Sequence, residues 1–175
     1  YPAEWAKDVR LDDRTYHVRP IRPEDAALYP DFLAKTSPDD IRSRFLGARA
    51  DIPDKMLVRL TQLDYDREMA FVALDGETGA LCGIARLSAD PDHEMADYAI
   101  LVRSDLQGRG LGWAMLHRLI DYAKADGLER IEGFVLSGNA KMLKMCGEIG
   151  FRLVPDTTGV GITKASLVLA DLGRP

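Results

Sequence analysis

Ala96-Asp97-Tyr98-Ala99-Ile100-Leu101-Val102-Arg103-Ser104-Asp105-Leu106-Gln107-Gly108-Arg109-Gly110-Leu111-Gly112 reads as a strand, a turn, and the glycine-studded start of a helix. Asp97 to Val102 is apolar and partly β-branched, which suits a central strand with little exposed face. Ser104 and Asp105 mark the turn. From Gly112 onward, Leu116, Leu119, Ile120 and Ala123 recur at helical spacing until Gly127 stops the run. Glycines at such a junction let a phosphate approach the backbone without meeting a Cβ, and the first amides of the helix point towards an anion. There is no Gly-x-x-x-x-Gly-Lys-Ser/Thr, and Gly108, Gly110 and Gly112 do not fall in Gly-x-Gly-x-x-Gly spacing. A P-loop and a dinucleotide fingerprint are therefore excluded. What stands there is Gln-x-x-Gly-x-Gly, on Gln107, Gly110 and Gly112.

Working outward, 175 residues with 46% hydrophobic content make one domain with a real core. Twenty-eight acidic against 23 basic residues give a formal net charge of −5, which argues against a general nucleic-acid or anionic-membrane binder. No run approaches the length of a transmembrane helix and no signal peptide is visible. The first residue is Tyr1, so a piece of a longer chain is expected, with residues 1–13 a linker from an upstream domain and 14–175 the folded domain. Cys82 and Cys146 lie in apolar segments without metal-ligand spacing, which fits a reducing, cytoplasmic setting and no metal.

In chain order, Thr15 to Arg22 alternates as a first strand, limited by Pro20 and Pro23. Three helices follow: one from Pro23-Glu24-Asp25, one from Ser37-Pro38-Asp39-Asp40, and one from about Pro53 to Leu63. Then come strands over Met69 to Leu74, Leu81 to Ser88 and Met95 to Arg103, the first two joined by Asp75-Gly76-Glu77-Thr78-Gly79. A helix from Gly110 to Ala125, a strand from Arg130 to Leu136, a short helix from Asn139 to Ile149, and strands Phe151 to Val154 and Ile162 to Leu169 complete the chain. The order is β-ααα-βββ-α-β-α-ββ, which predicts an α/β (α+β) mixed sheet with helices on both faces.

This order and the Gln107 to Gly112 loop resemble the GNAT acyltransferase superfamily over about Thr15 to Leu169. Asn139 opening the last short helix, and Gly150-Phe151 leaving it, agree with that resemblance. Several stretches look more closely like the C-terminal GNAT domain of bacterial protein-lysine acetyltransferases that modify acyl-CoA synthetases. They are Val18-Arg19-Pro20-Ile21-Arg22-Pro23-Glu24-Asp25, Ser43-Arg44-Phe45, Asp64-Tyr65-Asp66-Arg67-Glu68, and Val102 through Gly112. The resemblance implies acetyl-CoA as co-substrate, held by Leu101, Val102, Gln107, Gly108, Arg109, Gly110, Leu111, Gly112, Trp113 and Asn139. Arg109 and Arg103 are read either as added charge near the pyrophosphate or as solvated surface residues. The resemblance also implies a protein acceptor, an acyl-CoA synthetase, and an upstream acyl-CoA-synthetase-like domain, with no nucleic-acid or membrane partner.

Acetyl transfer to lysine needs a neutral nitrogen, and with a pKa near 10.4 only roughly one free lysine in two thousand is neutral at pH 7. A carboxylate can take the proton. Asp97 occupies the position of the glutamate that serves as base in the resembling enzymes, one methylene shorter. It is expected to be a buried acid, either used in catalysis or salt-bridged to an arginine. Glu94, three residues earlier, is the second candidate, and Glu68 and His93 are lesser ones. A backbone amide near Leu101 or Val102 would polarise the thioester carbonyl. Many GNAT enzymes carry a tyrosine where this chain has Cys146, which leaves open what protonates the departing thiolate. The rival readings are a small-amine or amino-acid acetyltransferase and a non-catalytic acyl-CoA sensor.

Overall fold

Strand β5 (Met95–Val102) is the centre of an eight-stranded sheet in the order β1-β2-β3-β4-β5-β6-β8-β7. The computed structural model describes residues 1–44, 59–157 and 161–171. The other strands are β1 (Lys7–Leu11), β2 (Arg14–Pro20), β3 (Glu68–Asp75), β4 (Leu81–Ala89), β6 (Arg130–Leu136), β7 (Arg152–Pro155) and β8 (Ile162–Val168). The helices are α1 (Tyr29–Ala34), α2 (Pro38–Arg44), α3 (Leu111–Ala125) and α4 (Ala140–Ile149). The expected mixed α/β architecture is the observed one. Most of the third expected helix, Pro53 to Leu63, lies outside the described residues, although 59–61 are helical.

Residues 1–13, read above as a linker, join the sheet. Lys7 to Leu11 pair antiparallel with Arg14 to Val18, and a turn at Ala3–Trp5 precedes them. Trp5 holds this segment down: its ring lies 5.2 Å from that of Tyr122 and 6.4 Å from that of Phe71. Arg118 stacks on it at 4.9 Å and donates to its carbonyl at 2.6 Å. The charged pattern of an edge strand hides it from a periodicity reading, because one side of β1 faces solvent.

The two faces of the sheet have separate cores. Met69, Phe71 and Ala73 of β3 and Tyr98, Ile100 and Val102 of β5 pack under α3, whose Leu111, Met115, Leu116, Leu119 and Ile120 are buried. Ala70 and Val72 of β3, Ile84 of β4 and Leu101 of β5 point the other way, towards Tyr29 and Phe32 of α1. Strands covered on both sides read as continuous apolar runs, as β3 and β5 do.

Every neighbouring pair in the sheet is antiparallel except β5 with β6. That parallel pairing is short: Met95 with Arg130, Ala96 with Ile131, Asp97 with Glu132, and then it stops. β5 continues to Val102 on the β4 side and β6 continues to Leu136 on the β8 side. The two strands therefore splay from Tyr98 onward, opening a wedge in the middle of the sheet.

Candidate active site

The wedge is the mouth of a cavity of about 460 Å3, a size suited to a small-molecule or cofactor arm. β5 contributes Tyr98 to Val102 and β6 contributes Phe134 and Val135. The turn and α3 contribute Gln107, Gly108, Gly110, Gly112 and Trp113. α4 adds Asn139, Met142 and Met145, and α2 adds Asp40, Ser43 and Arg44. The β5 edge facing the wedge has no strand partner among the described residues, so an extended, amide-bearing ligand can pair with it as an added strand.

The loop meets the physical requirements of an anion site. Gly108 and Gly110 have φ of 77° and 93°, the left-handed region that residues with a Cβ rarely enter. Gly110 is the N-cap of α3 and lines the cavity with Gly112, which puts the helix start, with its internally unpartnered first amides, at the cavity wall. No acidic residue occupies the first turn of α3 to compete with a bound anion. Gln107 does not hang free. Its Nε2 donates to Val102 O at 3.1 Å and to Asp40 Oδ2 at 2.9 Å, and its Oε1 accepts from Lys141 at 3.4 Å.

Most of the residues expected to hold the cofactor are brought to this cavity: Leu101, Val102, Gln107, Gly108, Gly110, Gly112, Trp113 and Asn139 all line it. Leu111 instead points into the core beneath α3, and Arg109 is exposed beside the loop rather than lining it. Arg103 is committed elsewhere, donating to both carboxylate oxygens of Asp105 at 2.7 and 3.0 Å. Asn139 also caps α4, its side chain accepting from Met142 N at 3.3 Å, so capping and a place on the cavity wall coexist.

Asp97 stands on the last rung before the splay, on the face opposite α3 and α4. The expectation of a buried acid is corrected. The layer formed by α1 covers Leu101 but thins along the strand, so that Ala99 is half-buried and Asp97 is exposed. Among the described residues no arginine bridges it. The nearby cations Arg130 (3.0 Å) and Lys164 (3.4 Å) bond Glu132, the register neighbour of Asp97. Partial burial, and then the negative charge of Glu132, raise the Asp97 pKa above the ordinary carboxylate range. A carboxylate with raised proton affinity is a better base. Glu94 lies just before β5, exposed, with its carbonyl accepting from Glu129 and Arg130 amides. At about 3.3 Å per residue, it is roughly 10 Å back along the chain from Asp97. Glu68, on β3, is half-buried. His93, the other lesser candidate, pairs with Asp126 at 2.8 Å and ties the β4–β5 turn to the end of α3.

Three residues of this site escape the sequence reading. Glu132 is an acid in an apolar strand, the same signal that singles out Asp97, but only the parallel pairing shows that they are neighbours. Tyr98 points to the other face, where its hydroxyl lies 2.9 Å from Cys146 Sγ, and burial keeps both groups protonated. Its ring takes the space a side chain at position 133 would occupy, since a Cβ on Gly133 would fall 2.2 Å from Tyr98 Cε1. Asp40 is the third, legible only as part of a helix start.

A wedge between two parallel strands, backed by a glycine loop at a helix start and edged by a carboxylate, has the shape and the donors to take an extended, anion-bearing ligand. Comparison with known proteins agrees. Residues 37–151 match the acetyltransferase (GNAT) family model, and the chain belongs to that family. It is similar to the acetyltransferase PA5475 of Pseudomonas aeruginosa, 33% identical over 149 residues that make up 84% of this chain and 80% of that protein. It is 28% identical over 158 residues to the acetyltransferase Pat of Mycolicibacterium smegmatis, covering 89% of this chain but 47% of that protein, so the chain spans about half of Pat. The crystal structure of the GNAT domain of S. lividans PAT superposes with a TM-score of 0.88 at 28% identity, covering 96% of this chain and 99% of that domain. The protein is an acetyltransferase of the GNAT fold, a class that uses acetyl-CoA.

Proposed function

We propose that this domain transfers an acetyl group from acetyl-CoA to a lysine side chain of a protein, an AMP-forming acyl-CoA synthetase, by direct attack within a ternary complex. The observation that carries the reading is the position of Asp97: at the vertex of the wedge, exposed, beside a second carboxylate, on the face away from the cofactor helices. A lysine ammonium arriving from that side meets a base of raised proton affinity before it reaches the wedge. Likeness to the PAT GNAT domain and to Pat is in keeping with the resemblance to protein-lysine acetyltransferases read from the sequence.

Each step falls to a residue of this chain. The amides of Gly110 to Gly112 and the α3 N-terminus receive the pyrophosphate. The free β5 edge from Tyr98 to Val102 holds the extended arm, and an amide near Leu101 or Val102 donates to the thioester oxygen as charge develops on it. Asp97, directly or through one water, removes the ammonium proton so that the neutral amine attacks the carbonyl carbon. The C–S bond breaks as the amide forms, and the sulfur leaves as thiolate or takes a proton from water. Glu94 is the second candidate for the base. In this reading the reaction runs in a reducing, cytoplasmic setting, where buried Cys82 and Cys146 remain thiols, and a synthetase-like domain precedes the chain.

The test is thiol release from acetyl-CoA with an AMP-forming acetyl-CoA synthetase as acceptor, for the wild type and Asp97→Ala. Turnover that collapses in the variant while acetyl-CoA still binds supports both acceptor and base. Full activity in the variant removes Asp97 and turns attention to Glu94. No wild-type turnover on this acceptor but turnover on small amines or amino acids would assign the small-molecule branch. Binding without turnover on any amine would make the domain a sensor.

A further inference from the structure

Ser37-Pro38-Asp39-Asp40 has the Ser-x-x-acid spacing of a capping box, in which the serine oxygen receives the third helical amide and the acid returns to the serine amide. The first half is present: Asp40 N donates to Ser37 Oγ at 3.1 Å, and Ile41 N donates to Ser37 O at 3.0 Å. The second half is not closed within α2. Ser37 N donates to Ser104 Oγ at 2.7 Å, and Ser104 Oγ donates onward to Asp40 Oδ2 at 2.5 Å. A hydroxyl from the turn that leads into the glycine loop is thus inserted into the cap of α2. The same Asp40 oxygen accepts from Gln107 Nε2 at 2.9 Å. α2 packs on both β5 and β6, across the splay, and carries Ser43 and Arg44 on the cavity wall.

We propose that Asp40 is a positioning residue that joins the α2 wall to the cofactor loop, so that filling the loop fixes the acceptor side of the wedge. The inference rests on the reading of Gln107 to Gly112 as the acetyl-CoA loop. A carboxylate on the wall of a diphosphate site opposes anion binding unless donors quench it, and Asp40 Oδ2 takes two charge-assisted hydrogen bonds, one from each end of the turn. Those bonds set the amide orientation of Gln107, whose other contacts run to β5 through Val102 and to α4 through Lys141. Removing the carboxylate leaves Ser104 Oγ without its acceptor and Gln107 Nε2 with Val102 O alone, and cuts the relay that joins the cap of α2 to the loop. An ordered loop then no longer reports to the helix.

The experiment is hydrogen exchange on the intact chain, with and without acetyl-CoA, reading peptides over 104–112 and 38–44. In the wild type, acetyl-CoA protects both. In Asp40→Ala the loop peptide is still protected while 38–44 loses its ligand-dependent protection, and acetyl-CoA affinity falls by roughly tenfold, the scale of a lost hydrogen bond to a charged group. Ser104→Ala removes the relay without touching the carboxylate and gives the same loss at 38–44. Asp40→Asn keeps an accepting oxygen and restores part of it. If 38–44 gains wild-type protection in Asp40→Ala, the coupling does not exist and the proposal is overturned. Tighter acetyl-CoA binding in both Asp40 variants likewise overturns it, leaving Asp40 only as charge opposing the diphosphate. If acetyl-CoA protects 104–112 but not 38–44 in the wild type, the proposal fails while the cofactor reading stands. If it protects neither, the cofactor reading fails first.

Discussion

Asp97 and Tyr98 are consecutive on β5 and live in opposite worlds. Tyr98 faces α3 and α4, buried, with its hydroxyl on Cys146 and its ring against Phe151 (centroids 5.5 Å apart) and Gly133. Asp97 faces the other way, exposed, with Glu132 as its neighbour and the first unpaired rung of the sheet beside it. At this rung one face of the strand is spent on packing and the other is open, although the same face is covered again at Leu101. The wedge lies between them because β5 and β6 part at that rung, so one peptide unit carries both a wall of the cavity and the candidate base.

Four changes press on that contrast. The largest effect is expected on the exposed face. Asp97→Asn should lower kcat/KM for the acetyl-CoA synthetase acceptor by about 10²–10⁴-fold, the usual range for a general base, with acetyl-CoA affinity unchanged by calorimetry. The sign of the linkage separates this from unfolding. The Asp97 pKa is raised in the folded state, so the ionised form works against stability above that pKa and the penalty fades as pH falls. Asparagine should therefore not lower the melting temperature at neutral pH.

Next comes the packed face. Gly133→Ala places a Cβ 2.2 Å from Tyr98 Cε1 and 2.6 Å from Cζ. The ring must move, at an expected loss of about 1–3 kcal/mol in denaturant unfolding. Loss of less than that would mean that β6 yields instead of the ring, and that the packed face is softer than its burial suggests.

Glu132→Gln tests whether the two carboxylates sense each other. Asp97 acts as base only when ionised, so activity rises with pH through its pKa. Removing the second-largest cause of the upward shift should move that limb of the kcat/KM profile to lower pH. A limb that stays in place would mean that partial burial alone sets it, or that the base is another group.

The smallest effect is expected from Tyr98→Phe, which keeps the ring and removes only the contact with Cys146. A single net hydrogen bond predicts about 1 kcal/mol of lost stability by chemical denaturation. A much larger loss of turnover than of stability would show that the hydroxyl serves the reaction as well as the packing.

The residues themselves set out the site unevenly. Gln107, Gly108, Gly110 and Gly112 were legible because the requirement is local: a positive φ and an unblocked helix start are properties of a few consecutive residues. The helical run from Leu111 and the strands β3 to β5 were legible because burial on one or two faces imposes a period on the sequence. Residues 1–13 were misread because an edge strand needs no such period, and it is Trp5, set against Phe71 and Tyr122, that brings the segment in. The capping box at Ser37 could be read, but not that Ser104 closes it, since 67 residues separate Ser104 from its Ser37 partner.

Taken alone, the amino-acid sequence determined the class of the fold and the glycine turn at the start of α3, because each is written in neighbouring residues, and the family resemblance singled out Asp97 as the acid to watch. Only the tertiary structure decided where β5 and β6 part, that Asp97 is exposed beside Glu132, that Tyr98 meets Cys146, and that α2 is capped from the loop. Those facts depend on which strands pair, over how many rungs, and on contacts between segments far apart in the chain. Pairing is a competition among all the edges and faces of the molecule, and it is settled when the sheet closes rather than by any stretch of residues within it.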